Sequence, residues 1–540
     1  MRKHARLIFG FCLLAITTLA QQNKKSLLYD LVTQKHQAVK TFPTTVLFKE
    51  VTSSASSRVT DLLSNKTILS LNRQAAMQTF TDRPSAISLS VPAGKGVNWV
   101  LELVQQDINT SSNFSFGTID ASGIQHKNSA GQGLHYRGYI KGDSSSFASF
   151  SLFANGQVMG IFCNAKGNFT IGKLNGDVAD YLVYNNKDLN APIYFNCSIT
   201  ENPQVASKKN KEQTTLDITG TGFPLFCKKV SMYWEADYKL YHNNFSDNMA
   251  ATQNYIAGVF NQVATMYQNE GILLELRNSN IWTAADPYNS TTANAALDAF
   301  RIRWNGLNNT FKGDLAMLID GAPTNNGGVA YLQENNLCNR NFAFGYCDVY
   351  GAYSTVPVYS WDVHVITHEI GHLLGSHHTH WCGWNTGPNG ICGAIDNCFT
   401  LEPGDTCSTC AAKNDINNTL KPFTGTVMSY CHLVSAVGVN LANGFGPLPG
   451  AAIRKSVNQS GCSVTVNKWT GAISTAWENT GNWNCGTIPD ANTEVIIAGG
   501  LKNYPVVKSM AICKSIQQLP KTSLRVNAGF ILTIAGEPSN

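Results

Sequence analysis

The sequence predicts a mixed chain of α/β and α+β character, in which a central segment alternates strands and helices between a β-rich segment and a small β-rich tail. Three observations carry this expectation. Apolar residues recur with a period near two before residue 204 and with mixed periods after residue 223. A polar stretch, Ala206-Ser-Lys-Lys-Asn-Lys-Glu-Gln-Thr-Thr215, separates the two without one bulky apolar residue. Beyond residue 463 three tryptophans are interleaved with turn residues. A length of 540 residues fits three or four domains at roughly 150 residues each. With 43% hydrophobic residues the chain can bury packed cores, which excludes wholesale disorder. A formal net charge of +5 is too small over this length for a nucleic-acid binder.

Residues 1–20 read as a secretory signal peptide. Arg2, Lys3 and Arg6 form a basic start, Leu7 to Leu19 is an uncharged apolar run, and Ala20 is a small residue before Gln21. Loss of those three cations leaves a net charge of +2. No later run approaches the ~18 apolar residues of a membrane-spanning helix. The segment 21–204 is expected to be β-rich, with a hairpin at Phe147–Phe153 and Gln157–Phe162 turning at Asn155-Gly156. Residues 205–222 are a linker, and Lys208, Lys209 and Lys211 make it an accessible cleavage site. In 223–462, strands are expected at 230–238, 314–320 and 329–332, and helices at 247–267, 293–304 and 361–376. The part after residue 376 is rich in Gly, Asn and Cys with little periodicity. Residues 463–540 form a separate β module in which Trp469, Trp477 and Trp483 pack a core. No internal repeat marks a solenoid.

Outside the leader, fourteen cysteines fall into three even groups: Cys163 and Cys197, ten from Cys227 to Cys462, then Cys485 and Cys513. In an exported chain, even groups read as disulfides formed within each module.

The segment that carries chemistry is His368-Glu369-Ile-Gly-His372-Leu-Leu-Gly375-Ser-His377-His378. Helical residues four apart share a face, so His368 and His372 can present imidazoles to one ion. Glu369 lies about 100° around the helix, beside the ion rather than on it. Gly375 lets the chain leave the helix, and His378 then reaches the third position. Three neutral imidazoles with a fourth position left for water make an open, catalytic kind of zinc site. The His-Glu-x-x-His pattern alone arises by chance on the order of 10⁻² times in a chain of this length, and the added Gly and His lower that to roughly 10⁻⁵. His377 is expected to face solvent, His364 to be structural, and His380 stands as a weaker third ligand.

The segment resembles the extended zinc signature of the metzincin endopeptidases. Gly425-Thr-Val-Met428-Ser-Tyr430-Cys431 is similar to their Met-turn, and Gly328-Val329-Ala330-Tyr331-Leu332 to the edge strand that pairs with an extended substrate. Within the metzincins the reprolysin (adamalysin-like) branch fits best, over about residues 225–462, and His135-Tyr-Arg-Gly-Tyr139 resembles that branch's propeptide. The chain departs from the branch in three places. Thr379 follows His378 where an Asp is usual, and Ser231 stands where a calcium-ligating Glu would fall, so a structural Ca2+ is uncertain. Tyr430 instead resembles the tyrosine of the astacins, serralysins and pappalysins that can swing on and off the metal; it reads either as an oxyanion stabiliser or as simple packing.

The resemblance implies a metzincin catalytic domain (a mixed twisted sheet plus an active-site helix) at 223–462, preceded by a prodomain at 21–204. It implies one catalytic Zn2+ on His368, His372 and His378, with Glu369 as general base and Met428 packed beneath the metal. The expected partners are protein or peptide substrates, with no nucleic acid and no transmembrane segment. A secreted, latent zinc endopeptidase acting as a monomer is the resulting expectation, and the tail resembles C-terminal modules of secreted bacterial proteins. Cys163 and Cys197 either pair or supply a thiol that blocks the metal; neither sits in the family's switch motif. A binding protein with an inactive protease fold is disfavoured, because all four of His368, Glu369, His372 and His378 are intact.

Overall fold

The computed structural model describes residues 25–52, 59–109, 114–128, 133–174, 180–190, 197–201, 226–288, 292–321, 327–333, 337–351, 357–384, 393–402, 424–434 and 436–536. The leader at 1–20 and the linker at 205–222, with its lysines, lie outside them.

The N-terminal segment builds a ten-stranded sheet, largely antiparallel, around Leu89, Leu101, Tyr136, Phe150, Phe162 and Val183. The expected hairpin is present, with Phe147–Leu152 antiparallel to Val158–Asn164. Two helices that the β-like pattern hid, Leu27–Ala38 and Arg73–Asp82, begin on the side-chain caps of Ser26 and Asn72. His135, on the strand Leu134–Ile140, is buried in this sheet with its Nδ1 against Ser151 Oγ at 2.8 Å. Burial, with Arg137 and Arg83 adding, pushes it down to about 3. A lowered folded-state value means stability that is full above the ordinary imidazole range and is lost as pH falls from about 6.5 toward 3. We expect the unfolding free energy of the parent to fall, relative to His135→Gln, by about 1.4 kcal/mol per pH unit over that window. Denaturant titrations at several pH values check it; parallel slopes for parent and variant would contradict it.

The second sheet runs, in order, Cys197–Glu201, Gly328–Leu332, Phe344–Asp348, Leu315–Asp320, Lys228–Ala236, Leu273–Trp282, Phe116–Ile119 and Gln125–Asn128. Its centre is parallel, and Gly328–Leu332 is antiparallel to Phe344–Asp348. The sheet therefore crosses the boundary expected at residue 204, since strands from the N-terminal segment sit at both of its ends. The helix Met249–Asn269, capped by Asn248, packs between this sheet and the N-terminal one. That position explains why it is buried on every side rather than on one stripe. The helix Ala293–Gly306, capped by Thr292, packs on Gly328–Leu332 and Phe344–Asp348. A helix at Pro447–Gln459 lies in the part read as irregular, with a proline in its first turn.

The C-terminal segment is built of short, mostly parallel strands, and it joins the central sheet where Val464 and Thr465 pair antiparallel with Lys229 and Lys228. Val464–Trp469, Thr493–Ile497 and Ser515–Gln518 are successive parallel neighbours, and so are Val506–Val507 with Arg525–Val526 and Ala511–Cys513 with Leu532–Ile534. The chain winds in parallel coils on three faces, with Val495 over Ile516, Val507 over Val526 and Cys513 over Ile534. Strands this short, joined by unequal turns, leave no sequence period to detect. Trp469, Trp477 and Trp483 are buried inside the coils, as expected.

The cysteine grouping is also corrected. Cys227 pairs with Cys485 across the expected boundary between the central segment and the tail, while Cys338–Cys462 and Cys398–Cys431 stay within the central segment. Cys163, Cys347 and Cys513 are free and buried, so the Cys163–Cys197 pairing is not formed. Cys163 belongs to the apolar core, and burial pushes its thiol up, which makes it a poor metal-blocking thiolate.

Candidate active site

The expected helix spans Tyr359–Leu373. It ends in a glycine-terminated motif: Ser376 N–H donates to Gly371 O, Gly375 N–H donates to His372 O, and Gly375 has φ of +90°. That turn carries His378 back to the helix face holding His368 and His372. The three Nε2 atoms converge, with His372 3.1 Å from both His368 and His378. All three rings are buried.

Each Nδ1 is committed elsewhere. His368 Nδ1 lies 2.8 Å from Val427 O, His372 Nδ1 2.6 Å from Ser376 O, and His378 Nδ1 2.9 Å from Glu402 Oε2. These acceptors place the ring proton on Nδ1 and leave a lone pair on each Nε2. Burial, followed by the neighbouring imidazoles, holds all three well below the ordinary imidazole range, so the rings are neutral at pH 7. Three lone pairs facing one another repel unless a cation lies between them. A tetrahedral ion with Zn–N bonds of about 2.0–2.1 Å sets its ligand nitrogens about 3.3–3.4 Å apart, close to the observed spacing. The donor set therefore fits a divalent metal of the zinc kind.

Glu369 is buried beside the triad. Its carboxylate lies against Gly328: a Cβ built there would stand 2.2 Å from Oε1 and 2.5 Å from Cδ. The missing side chain at residue 328 is what allows the acid and the strand Gly328–Leu332 to meet. Met428 is fully buried, and a Cβ built on Gly371 would stand only 2.7 Å from its sulfur. The turn that holds Met428 also orients the imidazoles, because Val427 O accepts from His368 and faces His364 Nε2 at 3.1 Å, while Met428 O accepts from Thr379 N–H. The Tyr430 ring is nearly buried, 4.7 Å from both the His378 and His380 rings.

His380 stacks on His378 rather than joining the triad. His377 is not solvent-facing: it is buried, stacked 3.7 Å from the Trp381 ring. Ser231 caps Asp314, with its N–H and hydroxyl both donating to Oδ2. Gly328, Val329, Ala330 and Tyr331 lie on the expected strand beside the site, but this edge is not open. Its outer side pairs in parallel with Cys197–Glu201, Cys197 opposite Gly328 and Thr200 opposite Tyr331. Sequence reasoning missed Glu402, the carboxylate that orients His378. It comes from a distant Cys-rich loop and carries no motif.

Residues 227–419 match the family model described as Metallo-peptidase family M12, of reprolysin type. Together with the metal-competent triad, this supports a metallopeptidase of the reprolysin type. Residues 468–537 match a domain of unknown function (DUF8693), which covers most of the coiled tail. No curated protein matches the chain. A solved chain titled "Structure of a chaperone-substrate complex" is 19% identical over 28% of this chain and 27% of its own length, with a TM-score of 0.22. This chain thus spans about a quarter of that one, and so low a TM-score carries no argument.

Proposed function

We propose that the chain is an exported, zinc-dependent endopeptidase made as a latent precursor. The single observation that carries this reading is the convergence of three Nε2 lone pairs beside a buried carboxylate that touches the cleft strand. His368, His372 and His378 would hold the ion. A bound zinc ion supplies Lewis acidity, which acidifies an attacking water and polarises the scissile carbonyl.

The remaining steps belong to the chain itself. The strand Gly328–Leu332 offers backbone groups to an extended peptide, which fixes the scissile bond beside Glu369. The Glu369 carboxylate accepts the proton of the attacking water as the new C–O bond forms. It returns that proton to the leaving nitrogen as the C–N bond breaks. Tyr430, whose ring lies 4.7 Å from that of His378, is the group assigned to donate to the developing oxyanion. Latency is supported by the strand Cys197–Glu201, which occupies the backbone ladder that a substrate would need. Export rests on the leader-like residues 1–20 and on the disulfides.

Chelation tests the reading. Treatment of the processed protein with 1,10-phenanthroline is expected to abolish casein hydrolysis, and added Zn2+ to restore it. Full hydrolysis in excess chelator would sink the proposal.

A further inference from the structure

A propeptide that merely blocks a cleft needs only a modest contact and leaves when cut. The N-terminal domain here is built into the central one. Its hairpin Phe116–Ile119/Gln125–Asn128 extends the central sheet beyond Leu273–Trp282, with Ser279 to Trp282 opposite Phe116 to Ile119. Leu28, Phe116, Phe147, Met159 and Cys163 belong to the same apolar core as Trp234, Phe260 and Ile366. On the central helix, Gly258 makes room for Met159, whose sulfur would stand 2.7 Å from a Cβ there.

The polar contacts across this junction are also buried. Asn261 is fully enclosed; its Nδ2 donates to Ser149 Oγ at 2.9 Å and its Oδ1 accepts from Arg137 Nε at 2.9 Å. Arg137 reaches Gln268 as well. Departure of the domain would bare one whole side of a helix that has no solvent face.

The same domain holds both segments that frame the metal triad. Tyr359, at the start of the active-site helix, exchanges two hydrogen bonds with the Gly160 backbone at 3.1 Å. Beyond the Met-turn, Asn168 bonds Val439 O and Leu441 N–H, and Asn440 donates to Asn164 O. The strand Cys197–Glu201 also pairs with the central domain, in parallel along Gly328–Leu332.

We infer that residues 25–190 form a permanent, non-covalently held subunit of the mature protein. A cut between the domains leaves the N-terminal domain in place. The inference extends the proposed function but does not rest on its chemistry, because association is measured without turnover. The test uses the full chain carrying Glu369→Gln, which prevents self-processing, with a specific protease site inserted between Asn210 and Lys211. After complete cutting, a non-reducing denaturing gel should show two separate fragments. Size exclusion in native buffer should return both at 1:1 in one peak at the mass of the uncut chain, and guanidinium should split that peak. Two peaks in native buffer would overturn the inference, and so would fragments joined by a disulfide on the gel. Loss of the chelator effect described above would leave it standing.

Discussion

Glu369→Gln is expected to bind zinc and fold like the parent while its kcat on casein falls by about 10²–10⁴. Each tenfold loss corresponds to about 1.4 kcal/mol of barrier. The expectation follows from how work is divided at the site. The three imidazoles are oriented by Val427 O, Ser376 O and Glu402, none of which involves Glu369. Removing the charge therefore leaves the donor set intact. What goes is the base, because an amide accepts a proton far less readily than a carboxylate. Stopped assays on the processed variant, with its zinc content measured in parallel, would show this. Turnover at the parent rate would mean that another group takes the proton.

Gly328→Ala should be nearly as damaging, for a purely spatial reason. Residue 328 lies outside the left-handed region of backbone space, so its backbone accepts alanine without strain. The new Cβ would nevertheless stand 2.2 Å from Glu369 Oε1 and 2.6 Å from Cγ, which no real contact tolerates. The carboxylate must move, and a displaced base costs on the order of 10² in rate even though every catalytic group is still present. We expect kcat to drop by about that factor with zinc content close to the parent's, and stability lower by about 1–3 kcal/mol from the overpacking. An unaltered kcat would show that the acid works from a position not constrained by the cleft strand.

Most of the metal site was legible because it is local. Two histidines one turn apart, an acid between them and a glycine that turns the chain back are short-range geometry, and a sequence shows short-range geometry directly. Glu402 was not legible, since it reaches His378 through a loop whose path depends on long-range contacts. His377 was misread because its neighbour's role said nothing of its own surroundings, and a stack on Trp381 is invisible in spacing. The helix Pro447–Gln459 carries a helix-start signal in the proline of its first turn, but the glycines and asparagines around it mask the period. Cysteine parity failed for a simpler reason: an even count within a segment does not stop Cys227 from reaching Cys485. The greatest departure was architectural. Strands at 116–128 and 197–201 follow a β-like pattern whichever sheet they join, so the sequence could not reveal that they complete the central one.

The most direct test of the metal-centred account is elemental analysis of the purified chain beside His372→Ala, the variant lacking the triad's middle ligand. The account predicts one zinc per parent chain and a large loss of it in the variant, with hydrolysis lost in proportion. A parent free of transition metal that still cleaves peptides, or a variant that keeps both its ion and its activity, would contradict it.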